Sequence, residues 1–209
     1  MLRDLTNGHR TLRNWFAMRR LRRQIRKAPS FAIDALPEDT RGRIVGPAQP
    51  LGDTLTAPIS GRPCVLWVIE VIENLGEDWP SLRILYAQRG ISFVLEESGA
   101  RAVVEPDRAI VSLVFDHTNM SNGADRADAM QKRVLAEHLA HRDFTHTVEL
   151  TFHEAIVDVG EKVAVVGSGT REPDPDAQGA AYRDAGRTRL RLTSSEKYPL
   201  SITDDPRCM

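Results

Sequence analysis

The 209-residue sequence contains only two cysteines, Cys64 and Cys208. A disulfide scaffold, a RING finger or a zinc ribbon needs four or more paired ligands, so all three are excluded. Cys64 opens an apolar run that extends to Ile69, which predicts a small buried thiol. Cys208 is the second-to-last residue of the sequence, and we expect it to be mobile.

Long apolar runs are also missing. No run approaches the roughly 18 uninterrupted apolar residues of a membrane-spanning helix. Residues 1–13 lack the apolar centre of a signal peptide, so we expect no secretory signal and a cytoplasmic protein that could lie peripherally on a membrane. Aromatic residues make up 6% of the chain against 41% apolar residues, which predicts an aliphatic core. A chain of this length can bury roughly 70% of its unfolded surface in one domain.

Net charge is nearly absent, at −1, but the two signs are unevenly distributed. Residues 1–28 carry nine Lys or Arg and one Asp, a net charge of +8. The other 181 residues carry 19 bases and 28 acids, a net charge of −9. The sequence therefore predicts a basic arm on an acidic body. Such arms bind lipid or nucleic-acid phosphates, or acidic protein surfaces.

The arm is predicted to be a helix from Thr11 to Lys27, because this segment has no Gly or Pro and Pro29 disfavours its continuation. Its aromatic residues precede a basic half, the order found where a helix meets a bilayer interface. A helix packed on the body or on a partner through its aromatic residues is the alternative. The candidate membrane- or partner-binding residues are Trp15, Phe16, Arg19, Arg20, Arg22, Arg23, Arg26 and Lys27.

On a helical wheel, the later apolar residues of the arm lie roughly opposite its basic side chains. These residues are Met18, Leu21 and Ile25, and they form a short stripe of their own.

Beyond the arm, we expect a Pro- and Gly-rich lead-in at 29–63 and a β-barrel-like body at 64–209. Short strands at 43–45 and 54–56 fit between the breaks of the lead-in. The strongest strand runs from Cys64 to Glu73 and shows no polar alternation before Glu70. This pattern is typical of a strand buried on both faces or of a barrel wall.

The body predicts further short strands and one inserted helix at about 124–142, capped by Ser121 and Asn122. Gly99 lies in a hairpin turn, and a polar segment at about 171–186 predicts a mobile loop. The pattern indicates a mainly β (α+β) fold, a small OB-like β-barrel with an N-terminal basic helix. The further strands are predicted at 91–96, 100–105, 110–115, 145–152, 162–166, 188–192 and 200–203.

Four histidines are the candidate metal ligands: His138, His141, His146 and His153. The first two lie three residues apart, on one face of the predicted helix. A zinc site would need three or four such ligands with supporting acceptors, and the segment after His153 lacks the second histidine of a His-Glu-x-x-His motif. Hydrogen-bonded histidines that titrate near neutrality are the simpler interpretation, so no metal or other cofactor is predicted.

Signals for catalysis are weak. The Gly-Ser-Gly sequence at 167–169 follows an apolar strand, but a dinucleotide fingerprint must open a helix, which Pro173 and Pro175 prevent here. We interpret it as the exit of a hairpin. There is no Gly-x-Ser-x-Gly sequence, and Cys64 lies within an apolar strand, where a thiol is usually inert. The protein is therefore predicted not to be an enzyme.

Four segments carry a family resemblance. Residues 55–67 read LTAPISGRPCVLW and are similar to the pattern L-x-A-P-L-S-G-x-x-C-v-W/Y. Residues 91–104, 154–167 and 200–203 are similar to a hairpin motif F-l-l-x-D-x-x-G-x-a-x-V, a segment E-x-x-l-x-x-G-x-x-v-y-v-x-G and a final strand l-x-I-S. In this order they resemble the BAM ("beside a membrane") or GIDE-type domain. That domain occurs in the mitochondrial membrane-anchored RING ubiquitin ligase and in bacterial membrane proteins.

The resemblance implies a β-rich, non-catalytic domain held next to a membrane. Ubiquitin-ligase activity is not expected, because the sequence contains no RING, and Glu97 stands where the family usually has Asp. We expect a non-enzymatic interaction domain whose arm binds anionic lipid or a protein partner of unknown identity. The alternatives are a metal-dependent hydrolase that uses the four histidines, and a nucleic-acid-binding small barrel. The second is less favoured because few aromatic residues are available for base stacking.

Overall fold

The computed structural model describes residues 11–76, 79–175, 188–195 and 198–209, with side chains from residue 18 onward. These residues form a mainly β structure with two α-helices, which confirms the predicted β-rich composition of the fold. The helices are α1 (Thr11–Lys27) and α2 (Ala129–Leu139), and a short 3-10 helix spans Pro206–Cys208. The strands are β1 (Gly42–Pro50), β2 (Leu55–Thr56), β3 (Pro63–Asn74), β4 (Leu82–Gly90), β5 (Phe93–Glu97), β6 (Ala100–Val104), β7 (Ile110–Val111), β8 (His117–Ser121), β9 (Glu149–Asp158), β10 (Lys162–Gly167), β11 (Gly169–Pro173), β12 (Thr188–Leu192) and β13 (Ser201–Thr203).

The first sheet contains eight strands in the order β11-β12-β6-β5-β1-β10-β13-β7. Most neighbours are antiparallel, but β12 pairs with β6 and β13 pairs with β7 in parallel. Strand β1 belongs to the Pro- and Gly-rich lead-in, yet it lies in the middle of this sheet between β5 and β10. The lead-in is therefore an integral part of the sheet.

The second sheet is built around the long strand β3. Strand β9 pairs along one edge of β3, β4 pairs with residues 66–73, and β2 pairs with residues 63–64. Strand β8 adds to the far side of β9. Because β3 has partners along both edges, its backbone groups are satisfied within the sheet.

The two sheets share one aliphatic core, as the composition predicts. Ile44 and Val165 of the first sheet pack in one cluster with Leu66 and Val157 of the second. The first sheet curls around this cluster as a half-barrel. Helix α2 covers the other face of the second sheet, where Val134 packs in a separate cluster.

Several predicted elements match the structure closely. Helix α1 has the predicted bounds, and β3, β10, β12 and β13 lie within two residues of the predicted strands. The hairpin β5–β6 turns at Ser98 and Gly99, whose φ angles of 52° and 81° are both left-handed. This pair of residues fits the type I′ turns that match the twist of a two-residue hairpin.

The inserted helix is shorter than predicted. It begins at Ala129, not near residue 124, and its last residue is Leu139, three before the predicted end. The cap at Ser121 and Asn122 was wrong: Asp128 accepts a hydrogen bond from the Gln131 N–H at 2.8 Å, and the Gln131 side chain accepts from the Asp128 N–H at 2.9 Å. This reciprocal capping box fixes the start of the helix.

Three other predictions need correction. The strand predicted at 145–152 begins only at Glu149 and continues to Asp158 as β9. The strand predicted at 110–115 is paired as β7 only at Ile110 and Val111. Residues 171–173, predicted as the start of a mobile loop, belong to strand β11 instead, which pairs antiparallel with β12. Residues 176–187 of the predicted loop lie outside the described residues.

Candidate functional site

Helix α1 is docked on the outer face of the first sheet. Leu21 and Ile25 are buried and pack with Val166 of β10 and with Cys208. The apolar stripe opposite the basic side chains is thus the side that contacts the body. Cys208, predicted to be mobile, is 1% exposed and forms part of this contact, because the chain returns to α1 through the 3-10 helix.

Arg22 is a polar anchor of the same helix. Its Nε donates to Ser112 Oγ at 2.9 Å, and its Nη2 donates to the Leu113 carbonyl at 2.8 Å. Its Nη1 lies 3.3 Å from Oδ2 of Asp205. Arg22 therefore lies in the docking contact, apart from the exposed basic side chains of the helix.

The remaining basic side chains of α1 within the described residues occupy exposed positions. They are Arg19, Arg20, Arg23, Arg26 and Lys27. The helix backbone includes Trp15 and Phe16, whose side chains lie outside the part that the structure describes. The predicted arm therefore presents a basic strip on the exposed side of α1, and part of this strip borders a groove beside the second sheet.

The side chain of Asp205 links α1 to the 3-10 helix through ion pairs with Arg22 and Arg207. Its carboxylate accepts hydrogen bonds from Nε and Nη2 of Arg207 at 2.9 Å and 2.8 Å. These bonds, with the nearby charge of Arg22, lower the pKa of Asp205 to about 2. The carboxylate is therefore ionised throughout the physiological pH range and keeps Arg22 in place.

A groove of about 1340 Å³ lies between α1 and the second sheet. Its floor comes from side chains of β3, β4 and β9 that point away from α2, and its third side is the segment 111–115. Val68 and Leu113 form buried parts of the surface, while Phe115 and Val114 are 44% and 42% exposed. The groove thus has an apolar surface that is open to solvent on one side.

The floor also carries one ion pair. Arg83 Nη1 lies 3.4 Å from Glu70 Oε1, and its guanidinium lies 5.0 Å from the centre of the Tyr86 ring. Burial raises the pKa of Glu70 although Arg83 opposes the shift, and burial raises the pKa of Tyr86 to about 12. The hydroxyl of Tyr86 is therefore a neutral hydrogen-bonding group here, and it donates to Gln88 Oε1 at 3.2 Å.

His153 lies at the edge of the groove. Its ring stacks on Phe115 with centroids 4.7 Å apart, and its Nδ1 is 2.9 Å from Thr118 Oγ1. Burial lowers the pKa of His153, which favours the neutral ring near pH 7. This fits the sequence-based interpretation of a hydrogen-bonded histidine.

The four candidate histidines do not share a site. His138 lies near the end of α2, and His141 and His146 follow on exposed positions. Because adjacent residues of a strand face opposite ways, Phe152 packs with the core under α2 while His153 faces the groove. Across the described ranges, no group of three His, Cys, Asp or Glu side chains is placed to hold a metal ion.

The Gly-Ser-Gly sequence is a strand junction. Strand β10 ends at Gly167 and β11 begins at Gly169, so the chain passes there from the middle of the first sheet to its edge. A Cβ atom on Gly169 would lie 2.1 Å from the carbonyl oxygen of Arg191. The glycine is needed for this close backbone approach. The predicted hairpin exit was wrong, because β9 and β10 belong to different sheets.

The thiol of Cys64 is not set up for nucleophilic chemistry. Cys64 is fully buried in β3, and burial raises the pKa of its thiol to about 12, with the nearby Glu154 and Asp158 adding to the shift. A thiol with this pKa is protonated at neutral pH and therefore inert as a nucleophile.

Asp204 behaves differently from its neighbour Asp205. Its carboxylate accepts the Val114 N–H at 2.8 Å, and it has Glu161 and Asp116 nearby. Burial raises the pKa of Asp204 from 3.8 to about 7, with the charges of Glu161 and Asp116 adding to the shift. The folded protein therefore holds a proton here that the unfolded chain releases above about pH 4.

We expect the free energy of unfolding to decrease as the pH rises from about 4 to 7 through this group. Above pH 7 the folded state must carry the Asp204 charge, and the total loss between pH 4 and pH 7 is on the order of 4 kcal/mol. Asp204→Asn keeps an acceptor for Val114 and removes the titration. Urea unfolding of both proteins at pH 5 and pH 8 gives the change in the free energy of unfolding between the two pH values. The difference between the changes of wild type and variant is the contribution of Asp204. Identical pH dependences of wild type and variant would contradict the assignment.

Sequence reasoning found the basic wall of this site and missed the opposite wall. The candidate residues did not include Arg83, Tyr86 or Phe115. The signal that could have found two of them is an Arg and a Tyr within an otherwise β-rich segment, because such residues can mark a functional face. No described helix is long and apolar enough to cross a membrane. The chain matches no protein-family model, no curated protein and no solved structure.

Proposed function

We propose that this protein is a non-enzymatic binding domain that attaches to an anionic membrane surface through α1. One observation carries the proposal: the apolar side of α1 is used in docking on the body, while its basic side faces solvent. A helix fixed in this way presents its charges from a rigid backbone, so little backbone order has to be gained on binding.

The charge density of the strip supports a lipid surface as the target. Arg20, Arg23, Arg26 and Lys27 lie within eight residues, a length of about 10 Å along the helix. Each basic side chain near an anionic leaflet contributes about 1 kcal/mol. Four of them provide enough attraction for reversible binding, while the acidic body, with its net charge of −9, is repelled from the same surface.

The same proposal includes the arrangement of the two sheets. We propose that the curled first sheet and the second sheet form an OB-like barrel of the BAM/GIDE type, on the basis of the four similar segments. Glu154 of one segment accepts hydrogen bonds from Ile59 and Ser60 of another, which supports treating these segments as one structural unit. The proposed location is the cytoplasm, at the periphery of a membrane. The identity of a protein partner is unknown.

The test is co-sedimentation with vesicles of equal parts phosphatidylglycerol and phosphatidylcholine. A variant with Arg20, Arg23, Arg26 and Lys27 changed to Gln is expected to bind about tenfold or more weakly. Wild-type binding should also weaken as salt rises from about 0.1 to 1 M, because the Debye length shortens from about 10 to 3 Å.

The matched control removes the same charge from exposed positions elsewhere. Arg89, Arg126, Lys132 and Lys162 changed to Gln should leave vesicle binding within about twofold of wild type. Equal losses in both variants, salt-insensitive binding, or tighter binding to single-stranded RNA than to vesicles would overturn the proposal.

A further inference from the structure

The groove beside α1 has most of its positive charge on one wall and most of its apolar surface on the others, where Arg83 is paired with Glu70. The arginines of α1 form one wall, and the side chains of β3, β9 and the segment 111–115 form the others. Phe115 and Val114 expose apolar surface beside the buried Leu113 at the rim of this groove.

The charges of the lining are strongly one-sided. Seven arginines and two carboxylates, Glu70 and Asp205, line the groove. Both carboxylates already have guanidinium partners, Arg83 for Glu70 and Arg22 for Asp205. The formal charge of the lining is +5 with His153 neutral, so the groove complements an anion.

We propose that this groove binds a single-chain anionic lipid. The anionic head lies against the arginines of α1, and the acyl chain lies over the apolar surface from Val68 to Phe115. The volume of about 1340 Å³ exceeds the roughly 300–1,000 Å³ of typical small-molecule sites, so there is room for an extended chain.

A lipid fits the groove better than a peptide. The floor is formed by β3, β4 and β9, and its two central strands β3 and β9 are paired along both of their edges. A peptide that lies over β3 and β9 would find no free strand edge there for its backbone hydrogen bonds. An acyl chain has no polar backbone to satisfy, so it loses nothing on such a surface.

This inference deepens the proposed function by naming a lipid class, but it can be tested without any membrane. Isothermal titration with laurate below its critical micelle concentration should give saturable one-to-one binding. Dodecyltrimethylammonium, which has the same chain with a cationic head, and acetate, which has no chain, should each bind at least about tenfold more weakly.

Two variants test the two walls separately. Phe115→Asp should weaken laurate binding about tenfold or more, whereas Val159→Asp, at a position of nearly equal exposure outside the groove, should not change it. Arg20→Gln combined with Arg23→Gln tests the cationic wall, with Arg89→Gln plus Arg126→Gln as its control. Thermal melts of all variants establish that each remains folded.

The outcomes separate this inference from the proposed function. Vesicle binding that Phe115→Asp leaves intact, together with laurate binding that it abolishes, supports both. Vesicle binding without laurate binding overturns the groove proposal alone, and laurate binding without vesicle binding overturns the proposed function alone. Equal affinity for laurate and dodecyltrimethylammonium, or binding of an acidic amphipathic peptide in place of laurate, also overturns the groove proposal.

Discussion

Replacing Glu154 with Ala is expected to lower the free energy of unfolding by about 3–5 kcal/mol. Glu154 is 1% exposed in β9, and its two carboxylate oxygens accept the N–H groups of Ile59 at 2.7 Å and Ser60 at 2.9 Å. Without the carboxylate, two consecutive N–H groups of this turn lose their acceptors, one of them fully buried. An unpaired buried donor costs about 1–3 kcal/mol.

Urea unfolding measures this loss, and Glu154→Gln refines the interpretation. Gln keeps one acceptor oxygen and introduces an amide group opposite the second N–H, so an intermediate loss of about 1–3 kcal/mol is expected. Glu149→Ala, at a half-buried position in the same strand, is the control and should cost less than about 1 kcal/mol. A Glu154→Ala protein as stable as this control would show that the turn does not depend on the carboxylate.

Ile25→Asp is expected to release α1 from the body. Ile25 is 1% exposed and packs against Val166 and Cys208. Burial of a side chain of this size stabilises docking by about 1.5–3 kcal/mol, and a carboxylate at the same position adds a desolvation cost of several kcal/mol. The sum exceeds what the neighbouring Leu21 contributes, and it leaves the polar contacts of Arg22 as the main remaining anchor. The helix should therefore detach in a larger fraction of molecules while the two sheets stay folded.

Limited trypsin digestion measures the release, because α1 is rich in arginine. We expect cleavage within α1 to become about tenfold faster or more, since a detached helix frays and exposes its backbone. Gln24→Asp, on an exposed position of the same helix, introduces the same charge and should leave the cleavage rate nearly unchanged. Equal cleavage rates in the two variants would rule out docking through Ile25.

The sequence was most informative where local chemistry decides the structure. Helix α1 lacks breakers before Pro29, and its apolar stripe at Leu21 and Ile25 is the side that packs. The hairpin at Ser98 and Gly99 follows from a turn that needs two left-handed residues. In each case the determining residues lie within a few positions of one another.

Strands β4 and β8 were not predicted, for two different reasons. The pairing of β4 with β3 shifts register between Val71 and Ile72, so Ile84 and Leu85 are both buried and the alternation of period two is broken. Strand β8 has little apolar character, and it forms because β9 offers it an edge. Pairing with a neighbour distant in sequence overrides weak local preference here.

Only the part of the functional site that lies within one local segment was predictable from the sequence. The basic strip of α1 is contained in one helix, whereas the groove requires Arg83, Phe115 and His153 to meet across three segments of the chain. Asp204 and Asp205 are adjacent and chemically identical, yet burial raises one pKa and Arg207 lowers the other. Differences of this kind arise only from tertiary neighbours.

The docking of α1 has a consequence for the order of folding. The helix is synthesised before the segments on which it packs, because its main contacts are with β10, β13 and the 3-10 helix, which span residues 162–208. Leu21 and Ile25 therefore stay uncovered until those residues have left the ribosome, and loop closure over most of the chain precedes their burial. The rigid basic strip and the groove beside it thus exist only on a chain that has completed its sheets, so nascent or partly folded chains lack this surface.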